Sequence, residues 1–138
     1  MLDQLQQAGF EFVGEWTLDG EGIRLDFRPE KDRSSVYIFV LDGAVVYIGK
    51  TESCLRQRLN GYRSPGPTQR TNIRVKALLI TALQAHSRVQ VLAISPDPIV
   101  WNELPLNTAV GLESGLIEMI KPMWNLLNKP KEASAVSR

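Results

Sequence analysis

The sequence predicts an α+β domain: a small three-stranded antiparallel sheet flanked by helices, with an extra N-terminal helix and β-hairpin. Three observations carry that expectation. Two short apolar runs, beginning at Val36-Tyr37 and at Val46-Tyr47-Ile48-Gly49-Lys50, are split by a turn at Leu41-Asp42-Gly43-Ala44. Ile23, Leu25 and Phe27 alternate with polar residues at a period of two. Two longer stretches, about 71–86 and 107–120, repeat apolar residues at helical spacing.

Taken in order, residues 2–8 read as a short helix stopped by Gly9. Residues 10–16 and 22–27 read as strands around an Asp19-Gly20-Glu21-Gly22 turn, and 29–35 as a charged connector. After the tyrosine hairpin, a helix over about 53–62 carries Leu55, Leu59 and Tyr62 on one face. Pro65-Gly66-Pro67 forces a loop over 63–71. The helix over 71–86 is expected to bury a stripe through Ile73, Ala77, Ile80 and Leu83. Residues 89–94 form a β-type run ended by Pro96 and Pro98, and 99–106 read as irregular. The last helix, 107–120, stops before Pro122. The division is an acidic extension over 1–33, a core domain over 34–128 and a flexible polar tail over 129–138.

A chain of 138 residues, 43% hydrophobic and 22% charged, has the composition of one soluble globular domain. No apolar run approaches the roughly eighteen residues of a membrane span, and no signal pattern opens the chain. Cys54 is the only cysteine, which excludes an intrachain disulfide and a thiolate metal cage, so a reducing, cytoplasmic setting is the default. The net charge of +1 is unevenly spread. Residues 1–33 hold eight acidic and four basic side chains, whereas 50–90 hold Lys50, Arg56, Arg58, Arg63, Arg70, Arg74, Lys76 and Arg88 against Glu52 alone. Such a surplus attracts polyanions, although a solvated helical face accounts for it equally well.

Glu113 gives the sharpest signal. At about 100° per residue, Ala109, Leu116, Ile117 and Ile120 lie within roughly sixty degrees of its direction, while Glu118 points away. A carboxylate in an apolar stripe loses hydration unless a charge or donor meets it. A salt bridge to arginine would answer that need, as would a role as metal ligand or catalytic carboxylate. Arg58, three residues after Leu55 and four before Tyr62, lies on the core-facing side of its helix, whereas Arg56 points elsewhere with Arg63. A surface ion pair is the plain alternative for Arg58, and core packing for Tyr62. His86, near a helix end, is expected to cap carbonyls. Trp16, Trp101 and Trp124 are expected in the core.

Taken together, Tyr37, Tyr47-Ile48-Gly49, Leu55-Arg56-Gln57-Arg58, Glu113, and Lys121-Pro122 to Asn125 resemble the GIY-YIG nuclease family over about residues 34–128. The stretch from Glu113 to Asn125 looks particularly like the nuclease half of the bacterial nucleotide-excision-repair incision subunit. Ser35 departs from the pattern by standing in the first glycine's place, and Val36 and Val46 are conservative changes. The turn before the arginine helix is one residue longer than in the repair enzyme.

The resemblance implies a metal-dependent DNA endonuclease that leaves 5′-phosphate and 3′-hydroxyl ends. Glu113 would hold Mg²⁺ or Mn²⁺, since Mg²⁺ keeps most of its waters and takes a substrate phosphate as another ligand. Arg58 would contact the phosphate. Tyr37 or Lys50 would serve the attacking water, and Tyr47 and Asn125 would complete the site. DNA would lie along Lys50, Arg56, Arg58, Tyr62, Arg63, Arg70 and Arg74. RNA stays open as a substrate, and a non-catalytic nucleic-acid- or protein-binding module is the competing reading. Targeting would come from a protein partner, a homodimer or the loop between Arg63 and Arg74.

The family also sets a geometric demand. A two-residue turn at Asp42-Gly43 would pair Tyr37 with Ile48 and face it away from Tyr47. A three-residue turn would pair Phe39 with Tyr47 and put both tyrosines on one face. A shared site therefore leads us to expect an odd-length turn.

Overall fold

The computed structural model describes residues 1–28 and 35–126; the polar tail and the charged connector, except Ser35, lie outside them. Helix α1 (Leu2–Ala8) ends at Gly9, whose φ of 119° suits glycine, with N–H bonds from Gly9 to Gln6 and from Phe10 to Leu5 closing the turn. Strands β1 (Glu11–Asp19) and β2 (Gly22–Phe27) form the N-terminal hairpin. Strands β3 (Ser35–Leu41) and β4 (Ala44–Thr51) form the tyrosine hairpin. Helices α2 (Leu55–Asn60) and α3 (Arg70–Gln84) precede β5 (Val89–Ile94). A small hairpin, β6 (Ile99–Trp101) and β7 (Leu104–Leu106), leads into α4 (Thr108–Ile120) and α5 (Met123–Leu126).

The sheet has five strands rather than three, in the order β2-β1-β5-β3-β4 with antiparallel neighbours. The expected β3-β4-β5 core is present, but β5 uses both edges. It pairs with β3 through Val36↔Ile94 to Leu41↔Val89, and with β1 through Glu11↔Ala93 to Trp16↔Val89. The acidic N-terminal hairpin is thus continuous with the sheet. Trp16 is fully buried, and Val13 and Ile23 join the same core.

Helices cover both faces, which is why β3 reads as a continuous apolar run. On one face Tyr37, Phe39, Tyr47, Val89 and Val91 meet Leu55, Leu59, Tyr62, Val75, Leu79 and Trp124. On the other, Val36, Ile38, Val40, Ile48 and Leu92 meet Leu5, Phe10, Ala109 and Leu116. The successive residues of β3 alternate between these cores, as pleating requires.

Three expectations are corrected. Helix α3 buries Asn72, Val75, Leu79 and Ala82, while Ile73 is exposed, so its inner stripe is rotated from the one expected. Residues 99–106 are not irregular but form the β6–β7 hairpin. Trp101 lies on that hairpin in solvent, whereas Trp16 and Trp124 are buried. Helix α4 begins as the sequence suggests. The Asn107 side chain accepts the Val110 N–H at 3.2 Å, and Lys121 ends the helix at φ 52° just before Pro122.

Candidate active site

The site begins with the register of β3 on β4. Phe39 pairs with Tyr47 as the shared-site argument demands, yet the turn has two residues: Leu41 pairs with Ala44 across Asp42 and Gly43. Both turn residues have positive φ, 48° and 89°, as a type I′ turn requires. The odd residue is in the strand instead. The register shifts between Phe39 and Val40, leaving Val46 as a bulge that returns Tyr47 to the face of Tyr37. The expectation of an odd-length turn is therefore wrong, but the register behind it is right. Asp42 is held by Arg88, through Asp42 N–H to Arg88 O at 2.9 Å and Arg88 N–H to Asp42 Oδ1 at 2.8 Å.

The tyrosine rings lie on Phe39, with centroids 5.7 Å, 5.4 Å and 5.7 Å away for Tyr37, Tyr47 and Tyr62. Their hydroxyls converge. The Tyr37 and Tyr62 oxygens are 2.7 Å apart, and Tyr62 donates to Tyr47 at 3.4 Å. Gly49, directly across the ladder from Tyr37, leaves room for that ring; a Cβ there would collide with the ring and its hydroxyl. This explains the glycine without any appeal to backbone freedom.

Arg58 lies over the Tyr62 ring with its Cζ 4.8 Å from the centroid. Its Nη1 donates to Asn72 Oδ1 at 3.2 Å, and Asn72 Nδ2 donates to Gln69 Oε1 at 3.4 Å. That same oxygen accepts the Gly66 N–H at 2.8 Å, so a polar chain runs from the proline loop to the guanidinium. Asn72 and Gln69 were missed from sequence. Asn72 is a buried polar residue in an apolar stripe, the same signal that marks Glu113, and the sequence hides it because helical spacing also fits a stripe through Ile73, Ala77, Ile80 and Leu83.

Burial pushes the Tyr37 hydroxyl well above the usual tyrosine range; Arg58 works against this and does not prevail. Tyr47 and Tyr62 are raised for the same leading reason. Burial by itself would lower the Arg58 pKa, but the fields of Tyr37, Tyr62, Tyr47 and Glu113 leave it raised. At neutral pH the site holds three neutral hydroxyls under a fixed positive charge.

Glu113 is half-buried on α4, with no ion pair to another described residue. Burial raises its carboxyl pKa while Lys50 and Arg58 pull it down. Its field reaches Tyr37, Tyr47 and Arg58. Lys50 donates to Glu52 Oε2 at 3.3 Å, and Glu52 Oε1 accepts from Asn107 Nδ2 at 3.0 Å. Glu113 is a hard oxygen donor still free to take a partner, which fits a divalent cation that keeps its waters.

The remaining expected residues lie further out. Asn125 spends its amide on β4: Ile48 N–H donates to Oδ1 at 2.7 Å, and Nδ2 donates to Ile48 O at 2.8 Å. Arg56 stacks on Phe27 at 4.5 Å, and Arg63 Nε donates to Ile23 O at 3.1 Å, so both lie against β2. Arg70 and Arg74 are exposed on α3. His86 caps α3 through its backbone, N–H to Leu83 O at 3.0 Å, with φ 65°.

This is a nuclease-type α+β fold, as two solved structures show. A mutant of bacteriophage T4 EndoII superposes with a TM-score of 0.70 at 25% identity, covering 90% of this chain and 97% of that one. The restriction endonuclease Hpy188I, solved in complex with product DNA, superposes at 0.53 with 21% identity, covering 94% and 82%. The second likeness is one of fold alone. No protein-family model matches the sequence, and no curated protein sequence matches it.

Proposed function

We propose that this protein is a GIY-YIG-type, metal-dependent DNA endonuclease, acting in a reducing cytoplasm. One observation carries the reading: three tyrosine hydroxyls, Arg58 and the charge of Glu113 act on one another at a single site against the apolar core. The nuclease fold supports it, and the DNA in the Hpy188I structure suggests the substrate class.

Glu113 is the residue that would hold Mg²⁺ or Mn²⁺. Held there, the ion would supply positive charge to offset that of the phosphate and would favour ionisation of water. Arg58 presents guanidinium donors to the phosphate oxygens while Asn72 fixes its aim. Tyr37 would orient the attacking water through a neutral hydroxyl once substrate opens the site, because the hydroxyl is fully buried here and burial disfavours its phenolate. Tyr62 and Tyr47 fix the Tyr37 hydroxyl by the bonds between them. Lys50 lends charge to the Glu113 side of the site. Water attacks phosphorus and gives up a proton to solvent, the bond to the 3′ oxygen breaks, and that oxygen takes a proton from solvent, giving 5′-phosphate and 3′-hydroxyl ends. Asn125 supports β4 beneath this chemistry, and Arg70 and Arg74 draw the duplex in by charge.

The test is cleavage of supercoiled plasmid by purified protein with Mg²⁺ or Mn²⁺, beside EDTA and Glu113→Ala controls. Metal-dependent nicking that disappears in the variant is expected. Intact DNA binding with no cleavage of any plasmid or oligonucleotide would favour a binding module.

A further inference from the structure

We infer that the β6–β7 hairpin is the surface through which two copies of this chain associate. The inference is independent of the nuclease reading. In the hairpin Ile99 pairs with Leu106 and Trp101 with Leu104, while Val100 pairs with Pro105 between them. Cross-strand pairs two residues apart share a face. Ile99, Trp101, Leu104 and Leu106 therefore form one apolar face, with exposures of 52%, 60%, 58% and 47%.

A two-stranded ribbon is marginal in water by itself, because it needs a third strand or a packed face. This one pairs with no other strand among the described residues. Four large half-exposed side chains make a contiguous patch on the order of 300–600 Å², as large as the largest patch a typical monomer exposes, and such patches are often functional. Two such patches face to face approach the roughly 1,000 Å² a specific interface needs.

Charge selects the occupant. Residues 95–107 carry Asp97 and Glu103 and no lysine or arginine, so a duplex or an anionic membrane is repelled from this face. Residues 129–138 contain no apolar side chain larger than valine and so offer no apolar match for this face. A second identical face carries no charge along its four apolar residues and is complementary to the first about a two-fold axis. Pro105 removes a donor from β7, which favours packing by faces over strand addition.

The experiment is sedimentation equilibrium of the full chain over a wide concentration range, with Trp101→Glu/Leu104→Glu as the variant. Both sites are exposed, so an unchanged circular dichroism spectrum and melting temperature are expected. The wild type should show twice the monomer mass at micromolar concentration. The variant should raise the dissociation constant at least about 30-fold. Fluorescence gives a second readout, because Trp16 and Trp124 are buried and the difference from Trp101→Phe isolates Trp101. That difference emission should shift to the red on dilution. A wild type that stays monomeric with a water-exposed Trp101 would overturn the inference, and so would a dimer that survives the double substitution. A Trp101 shielded only on adding duplex DNA would overturn it in favour of DNA as the occupant.

Discussion

The Asn125 amide grips both backbone groups of Ile48, accepting its N–H at 2.7 Å and donating to its carbonyl at 2.8 Å. Among the described residues strand β4 is an edge of the sheet, and its outer backbone groups meet no neighbouring strand there. Asn125 supplies that partner next to Tyr47 and Gly49. It fixes the strand that bears the site, so it is a positioning residue and not a catalytic one.

Asn125→Ala should therefore lower stability by about 2 kcal/mol, the loss of two net hydrogen bonds. Asn125→Asp keeps the acceptor for the Ile48 N–H but sets an anionic oxygen against the Ile48 carbonyl, and should cost at least as much. Thermal denaturation measures both, and an unchanged melting temperature for the alanine variant would contradict the edge role.

The only three tyrosines of the chain are Tyr37, Tyr47 and Tyr62, and burial raises all three. Ultraviolet titration should show no phenolate at the ordinary tyrosine pKa near 10. The unfolded chain loses these protons near pH 10 and the folded protein only at higher pH. Stability is thus fully present below pH about 10 and falls as pH rises above it. Phenolate should appear together with alkaline unfolding, and early reversible ionisation of a folded tyrosine would refute the buried triad.

Gly49→Ala should displace the Tyr37 ring, since the new Cβ has no other space. A loss of about 1–3 kcal/mol is expected from overpacking. Cleavage should fall by at least about 100-fold, because a small misplacement at the reacting centre has that effect. Wild-type stability and activity would show that Tyr37 tolerates another position.

Burial raises the Glu113 pKa above its ordinary value of 4.5, so the folded state binds the proton more tightly than the unfolded chain. Folding is therefore favoured as pH drops through that window, and at neutral pH the charged carboxylate is a burden. Glu113→Gln should raise stability at pH 7 by under about 1 kcal/mol, since water still reaches the group. The gain should vanish at acid pH, and nuclease activity should be lost at any pH. A variant that is destabilised at neutral pH would indicate that Glu113 has a structural partner.

Arg58→Lys keeps the charge but loses the planar fork held by Asn72. Turnover should fall by about 100-fold or more with DNA affinity little changed. Asn72→Ala should lower turnover less, and Asn72→Asp, which keeps the acceptor, should restore most of it. Equal losses in both Asn72 variants would remove Asn72 from the positioning of Arg58.

Most helices and strands, though not the β6–β7 hairpin, are legible in the sequence, as is the candidacy of Glu113. Glycine at 9, Asn107 and Pro122 mark helix ends by local backbone chemistry, and Glu113 is conspicuous because a carboxylate in an apolar stripe breaks a one-dimensional pattern. Shared-face logic also gave the pairing of Phe39 with Tyr47. Tertiary structure decided what depends on contacts far apart in the chain. Strand β5 is apolar apart from Gln90, which marks it as buried without naming its second partner, and that partner is β1, more than seventy residues earlier. The bulge at Val46, the inner face of α3 with Asn72, the grip of Asn125 on Ile48 and the exposure of Trp101 were settled the same way. Local propensity fixes what a segment becomes, and packing against distant segments fixes which of its faces is inside.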